Sequence, residues 1–321
     1  MFFTKFASFF MTMIYSVSAF FSVIPATIWY GDKKYTVADP QSIVLEASFI
    51  GDTHAKASYF EEYTEILRKS FCGISRTDTL PDAVIITGDV TNAASEKEYK
   101  SLKYTLKSFN KVETVIPATG NHDIRGRDTF EESAQNFYNF ADFCGIKTDK
   151  TYFTTSVKGF SFIIIGSEKQ RRLDAVISDE QLSWFDAQMA QAVKTQKPIF
   201  IVCHQPLYNS NETYFDPEAE KNHGVGDQSE QIADILRKYV PSYQYPVFFI
   251  SGHLHRSFDE RAFDFTFMDN LYCVNIPSIT KTENGGDGLS VEVYPDKVLL
   301  RARNYIKMEW LPDYQYEIQI N

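Results

Sequence analysis

The chain has 321 residues, 44% hydrophobic and 23% charged, so it can bury a core, and a disordered, collagen-like or wholly membrane-embedded chain is excluded. Its 32 basic against 42 acidic residues give a formal charge of −10, which indicates no nucleic-acid-binding surface but does not oppose metal binding. Four widely spaced cysteines, Cys72, Cys144, Cys203 and Cys273, form no C-x-x-C pair, which excludes a zinc ribbon or a thioredoxin-like site.

Residues 6–30 form an apolar run without a charge, long enough for a membrane span. Residues 1–30 are therefore expected to be a leader, either a signal peptide with Val17-Ser18-Ala19 as a small-residue cleavage site or a membrane anchor; a buried N-terminal helix is the alternative. The expected location is exported or membrane-anchored, with membrane association through this segment, and a cytoplasmic body is the alternative. Outside the cytoplasm Cys72 and Cys144 could pair, whereas Cys203 and Cys273 lie in apolar runs and read as core. The polar, proline-containing stretch 31–41 reads as a linker, and 42–321 as one domain.

Short apolar runs suited to buried strands occur at 43–50, 83–87, 113–117, 160–165, 198–203, 246–251 and 271–276. Between them Ser95 with Glu98, Thr129 with Glu132 and Ser178 with Gln181 have capping-box spacing and predict helix starts. Residues 289–294 and 298–303, joined at Pro295-Asp296, predict a C-terminal β-hairpin, with a further strand at 316–320. This alternation is that of an α/β fold.

Five polar motifs each follow a predicted strand: Asp52-Thr53-His54, Gly88-Asp89, Gly120-Asn121-His122-Asp123, His204, and Gly252-His253-Leu254-His255. Ligands bind at the carboxyl ends of strands in α/β folds, so the five clusters can converge on one crevice. Only His223 among the six histidines falls outside the pattern, and it reads as a loop residue. Carboxylate, amide oxygen and imidazole suit divalent ions such as manganese, iron or zinc, and the number of donors implies two of them. A pair of ions holding a phosphoryl group and activating water is the chemistry of phosphoester hydrolysis. As ordinary core and loop residues, so many buried titratable groups would be costly.

The ordered set D-x-H, G-D, G-N-H-D, H, G-H-x-H, complete over residues 52–255, resembles the signature of the calcineurin-like metallophosphoesterase superfamily. The resemblance implies a four-layer α/β/β/α sandwich. It implies that Asp52, His54 and His255 hold one metal, that Asp89 bridges, and that Asn121, His204 and His253 complete the second. It also implies a metal-bridging hydroxide as nucleophile, with His122 facing the scissile phosphate to stabilise charge or protonate the leaving oxygen. Asn121 and Arg125 are candidate substrate-binding residues; Arg125 and Arg127 could each reach a substrate phosphate, with a solvated loop or a structural ion pair as the default for both, and Asp123 reads as a residue that orients a neighbour or lies at the surface. Protein Ser/Thr phosphatases carry D-R-G after the second motif, and this chain does not. Purple acid phosphatases place a tyrosine ligand where Asn92 stands and lack the first-motif histidine. The segment from TGDVTNAAS to TGNHD is similar to bacterial cyclic-nucleotide-phosphodiesterase-like enzymes, which makes phosphodiester hydrolysis of a small-molecule substrate the expected reaction. The alternatives are a phosphomonoesterase or a non-catalytic scaffold of the same fold.

Overall fold

The computed structural model describes Tyr30 and residues 33–59, 61–211, 215–216, 221–222, 224–283 and 285–320. The expected leader, apart from Tyr30, and His223 lie outside the described residues. Among the described residues no helix is long and apolar enough to cross a membrane.

The first half alternates β1 (Leu45–Ile50), α1 (Glu62–Ile74), β2 (Ala83–Ile86), α2 (Glu96–Phe109), β3 (Val115–Pro117), α3 (Asn121–Arg125) and α4 (Phe130–Phe143). Next come β4 (Phe153–Val157), β5 (Phe160–Ile165), α5 (Asp179–Ala192), β6 (Ile199–Cys203), a two-residue pair β7 (Phe215–Asp216) and β8 (Lys221–Asn222), α6 (Ser229–Tyr239), β9 (Val247–Ser251), β10 (Phe263–Met268) and β11 (Leu271–Asn275). The chain closes with β12 (Asp287–Val293), β13 (Lys297–Asn304) and β14 (Glu309–Gln319). Two six-stranded sheets result, ordered β14-β13-β12-β1-β2-β3 and β10-β11-β9-β6-β5-β4.

One core lies between the sheets, where alternate residues of β1 (Leu45, Ala47, Phe49) face Phe162, Phe200 and Phe248 of the second sheet. Two further cores bind helices to the outer faces: α1, α2 and α4 on the first sheet, α5 and α6 on the second. This is the expected α/β/β/α sandwich, and β12–β14 supply the expected hairpin and further strand. The helix starts also stand as read: Ser95 and Glu98 form a reciprocal capping box, and Thr129 and Ser178 accept from the backbone of Glu132 and Gln181.

Four strands escaped the sequence reading, the two-residue pair β7 and β8 and two longer ones. β4 and β10 occupy the two edges of the second sheet, where one face is wet, so they alternate (Phe-Thr-Thr-Ser-Val; Phe-Asp-Phe-Thr-Phe-Met) instead of showing a continuous apolar run. The polar stretch after the leader lies against the body: Tyr35 and Val37 are buried, Tyr35 bridges to Thr77, and the Ala38 amide donates to Glu292 Oε2 at 2.8 Å. All four cysteines are free, Cys72 and Cys144 included.

Candidate metal centre

β1, β2 and β3 run parallel, as do β6 and β9, so each sheet presents the carboxyl ends of its parallel strands along one edge. The five motifs leave those ends. Asp52, His54, Asp89, His253 and His255 all have positive φ, between 41° and 74°, a conformation rare for residues with a Cβ and concentrated where function demands it. The glycines are dictated by close approach. A Cβ on Gly120 would stand 2.1 Å from the Asp89 amide nitrogen, and Gly88, at φ +102°, lies under the His204 ring.

Hydrogen bonds tie the motif loops together. His54 N donates to Asp89 O at 2.9 Å, Gly252 N to His204 O at 2.9 Å, and the hydroxyls of Ser278 and Thr280 to Asp52 O at 3.0 and 3.2 Å. Asp123, fully buried, accepts from the amides of Val90, Thr91 and Gly120 and from the hydroxyls of Thr91 and Tyr99. It is thus no surface residue but the clamp that joins the second and third motifs.

The ligating atoms of Asp52, His54, Asp89 and His255 lie within 4.8 Å of one another. His54 Nε2 faces His255 Nε2 at 3.0 Å, and His255 Nε2 is 2.9 Å from Asp52 Oδ1. His204 Nε2 stands 3.4 Å from Asp89 Oδ1 and 3.8 Å from Asp52 Oδ1, and its ring lies 5.1 Å from that of His253. Asn121 opens α3, 3% exposed, with its Oδ1 bonded to nothing among the described residues. His204 Nδ1 donates to Thr87 O at 2.9 Å, which turns Nε2 into the cluster.

The electrostatics ask for cations. Burial pulls His54 down to about 3 against the pull of Asp89 and Asp52, so this imidazole is neutral with a lone pair to offer. Burial would lower His204 too, but Asp89 and Asp52 outweigh it and push it up to about 9. The Asp89 carboxyl is held well below its ordinary range: burial opposes this, and His204 and His54 overcome it. Two buried carboxylates, facing imidazole nitrogens and an unpartnered amide oxygen fit a pair of divalent ions, whose charge would take the place of those protons.

His122 stands beside the cluster, its ring centroid 4.8 Å from that of His54. Its backbone amide donates to Asp89 Oδ1 at 2.8 Å, and its Nδ1 donates to Asn92 O at 2.7 Å. Arg125 Nη2 approaches His122 Nε2 at 3.0 Å. Contacts thus link eight of the nine sequence-predicted residues, Asp52, His54, Asp89, His122, Arg125, His204, His253 and His255, and Asn121 stands between Gly120, which packs on Asp89, and His122. Arg127 instead pairs with Glu132 at 3.2 Å. Sequence reading missed the part of Asn92, whose carbonyl accepts from His122 Nδ1.

Comparison with known proteins agrees. The calcineurin-like phosphoesterase family model matches residues 48–257. A probable glycerophosphodiester phosphodiesterase GpdQ from Arcobacter nitrofigilis is 26% identical over 214 residues, 64% of this chain and 70% of that protein. The human serine/threonine-protein phosphatase CPPED1 is 24% identical over 243 residues, 71% of each chain. Among solved structures, a dimetal phosphatase from Danio rerio superposes with a TM-score of 0.56 at 14% identity, covering 87% of this chain and all of that one, a likeness of fold. A match that runs from β1 past the last of the five motifs makes the chain a member of the calcineurin-like phosphoesterase family and a metal-dependent phosphoric ester hydrolase.

Proposed function

We propose that the protein is a phosphodiesterase with a binuclear metal centre, acting on a small-molecule phosphoester. The observation that carries this reading is the convergence of Asp52, His54, Asp89 and His255 within 4.8 Å, with His204 beside them. Asp52, His54 and His255 would hold one ion, Asn121, His204 and His253 the other, and Asp89 would serve both. When bound, two such ions supply Lewis-acid stabilisation of phosphoryl oxygens and a nucleophile at neutral pH.

The chain's own residues do the rest. His122 keeps its Nδ1 proton on the Asn92 carbonyl and presents Nε2 to the site as an acceptor; to protonate the leaving oxygen Nε2 must first take up a proton, which burial opposes and Asp89 favours. Arg125 shares that atom, and its guanidinium can exchange the imidazole for a phosphoryl oxygen when substrate arrives, with Asn121 beside it. Diester preference is supported by the GpdQ relative, and the CPPED1 relative supports the second reading, a phosphomonoesterase. The test compares a chromogenic phosphodiester with the matching monoester on the manganese-loaded protein, with chelator as control. Chelator-sensitive preference for the diester is expected, and preference for the monoester would select the second reading. Export or membrane anchoring through residues 6–30 completes the proposal, supported by the uncharged run; recovery of full-length protein in the cytosolic fraction would refute it.

A further inference from the structure

The connection from the second motif to α2, residues 90–95, is pinned at every residue. Val90 N and Thr91 N donate to the two oxygens of Asp123 at 2.9 and 2.8 Å, and Asn92 N donates to Ala55 O at 3.2 Å. Ala93 N and Ser95 N both donate to Glu98 Oε2 at 3.0 Å, and Ala94 N donates to Thr91 Oγ1 at 3.0 Å. Ala94 turns the chain with a φ of +50°, and its carbonyl accepts from Asn136 Nδ2 at 2.9 Å. Gly126, just past α3, packs against this connection so closely that a Cβ there would stand 2.2 Å from the Ala93 carbonyl carbon.

One peptide group in this connection faces the site. Asn92 O accepts the Nδ1 proton of His122 at 2.7 Å, and that bond decides which ring nitrogen carries the proton and turns Nε2 to the cluster. The Asn92 carbonyl shares its peptide plane with the Ala93 amide, so whatever holds the amide also aims the oxygen. The holder is Glu98, 6% exposed, whose Oε2 receives that amide. A carboxylate on the N–H also polarises the carbonyl at the other end of the same peptide and strengthens it as an acceptor. Glu98 thus stands to His122 as a carboxylate stands to a histidine that it bonds directly, with one peptide group between them.

We propose that Glu98 is a positioning residue for the reaction, holding the Asn92–Ala93 peptide so that His122 keeps its proton on Nδ1 and its Nε2 toward the leaving oxygen. This rests on the reading of His122 above and adds the group that orients it. Capping α2 is then the second of two tasks for this side chain.

The test uses the full chain, wild type and Glu98→Met, Glu98→Gln, Ser95→Ala and His122→Ala. In zinc-loaded protein labelled with nitrogen-15 at histidine, NMR reads the tautomer of His122, with His122→Ala identifying its signals. Wild type should be protonated on Nδ1; Glu98→Met should lose that preference, and Glu98→Gln, which retains an acceptor oxygen, should keep it. On manganese-loaded protein, kcat is compared for methyl 4-nitrophenyl and methyl phenyl phosphate, whose leaving groups differ in their need for a proton. Glu98→Met should lower kcat for the phenyl ester about tenfold more than for the nitrophenyl ester, at unchanged metal content, and Glu98→Gln should restore most of that ratio. Ser95→Ala weakens the cap of α2 and leaves the Ala93 amide on Glu98, so it should alter stability but not the ratio. Equal loss for both esters in Glu98→Met, the same change of ratio in Ser95→Ala, or His122 protonated on Nε2 in wild type would each overturn the positioning role. If His122→Ala left the ratio as in wild type, the proton-transfer reading would fall, and the tautomer in Glu98→Met would still decide whether Glu98 orients the ring.

Discussion

At the scale of single residues, the site is governed by a few positions where backbone and side chain touch. Gly120 lets the third motif pass against Asp89, and alanine there would place a methyl 2.2 Å from Asp89 Oδ1. Gly120→Ala should therefore lose metal, seen as reduced manganese content after dialysis, and lose about 1–3 kcal/mol of stability in urea melts. His122 differs in kind, because it adjoins the cluster and its side chain touches Asn92 and Arg125 instead. His122→Ala should keep its metal and lose about 100-fold or more in kcat. Unchanged turnover at full metal occupancy would remove His122 from the chemistry. The ligand types were legible in the sequence because metal chemistry restricts them to a few donors. The part of Asn92 was not, since a carbonyl belongs to every residue.

At the scale of elements, the second sheet is held by an aromatic ladder. Phe162, Phe200 and Phe248 stand in register across β5, β6 and β9, with successive ring centroids 5.0 and 5.2 Å apart, and Phe49 reaches Phe200 from the other sheet at 6.1 Å. Phe200→Ala removes the shared member of all three contacts and should cost about 3–5 kcal/mol in chemical denaturation. The cap of α2 is a smaller lever: Ser95→Ala should cost about 1 kcal/mol. Buried strands and capped helices were legible because each imposes a local pattern. The edge strands β4 and β10 were not, because polar residues interrupt their apolar ones, although each pairs with the next strand in sequence, β5 and β11.

At the scale of the whole molecule, the outer face of β1, β12 and β13 is polar yet closed. Glu46, Ser48, Ser290 and Arg303 are buried there with side-chain atoms that find no hydrogen bond, and Tyr35 of the post-leader stretch lies over Arg303, 3.8 Å from its guanidinium carbon to the ring centroid. Burial raises the Glu46 carboxyl to about 7; Arg303 opposes this and Glu292 reinforces it. The folded chain thus holds this proton to higher pH than the unfolded chain. As pH rises from about 4.3, the ordinary glutamate value, to about 7, the unfolded state sheds it first and stability falls. Melting temperatures between pH 5 and 8 should show that decline, and Glu46→Gln should flatten it. Chelator should separately lower the melting temperature, because ions bound only by the folded cluster stabilise it by mass action.

Sequence alone determined the chemistry: five motifs of restricted donor type, each placed after an apolar run that could only be a buried strand, specify a metal-holding edge of an α/β sandwich. Tertiary structure decided what depends on distance between remote segments. It made Asp123 a clamp between the second and third motifs and laid the stretch after the leader over a buried charged face. Donor type is a property of a residue and can be read one letter at a time, whereas proximity exists only once the chain has closed.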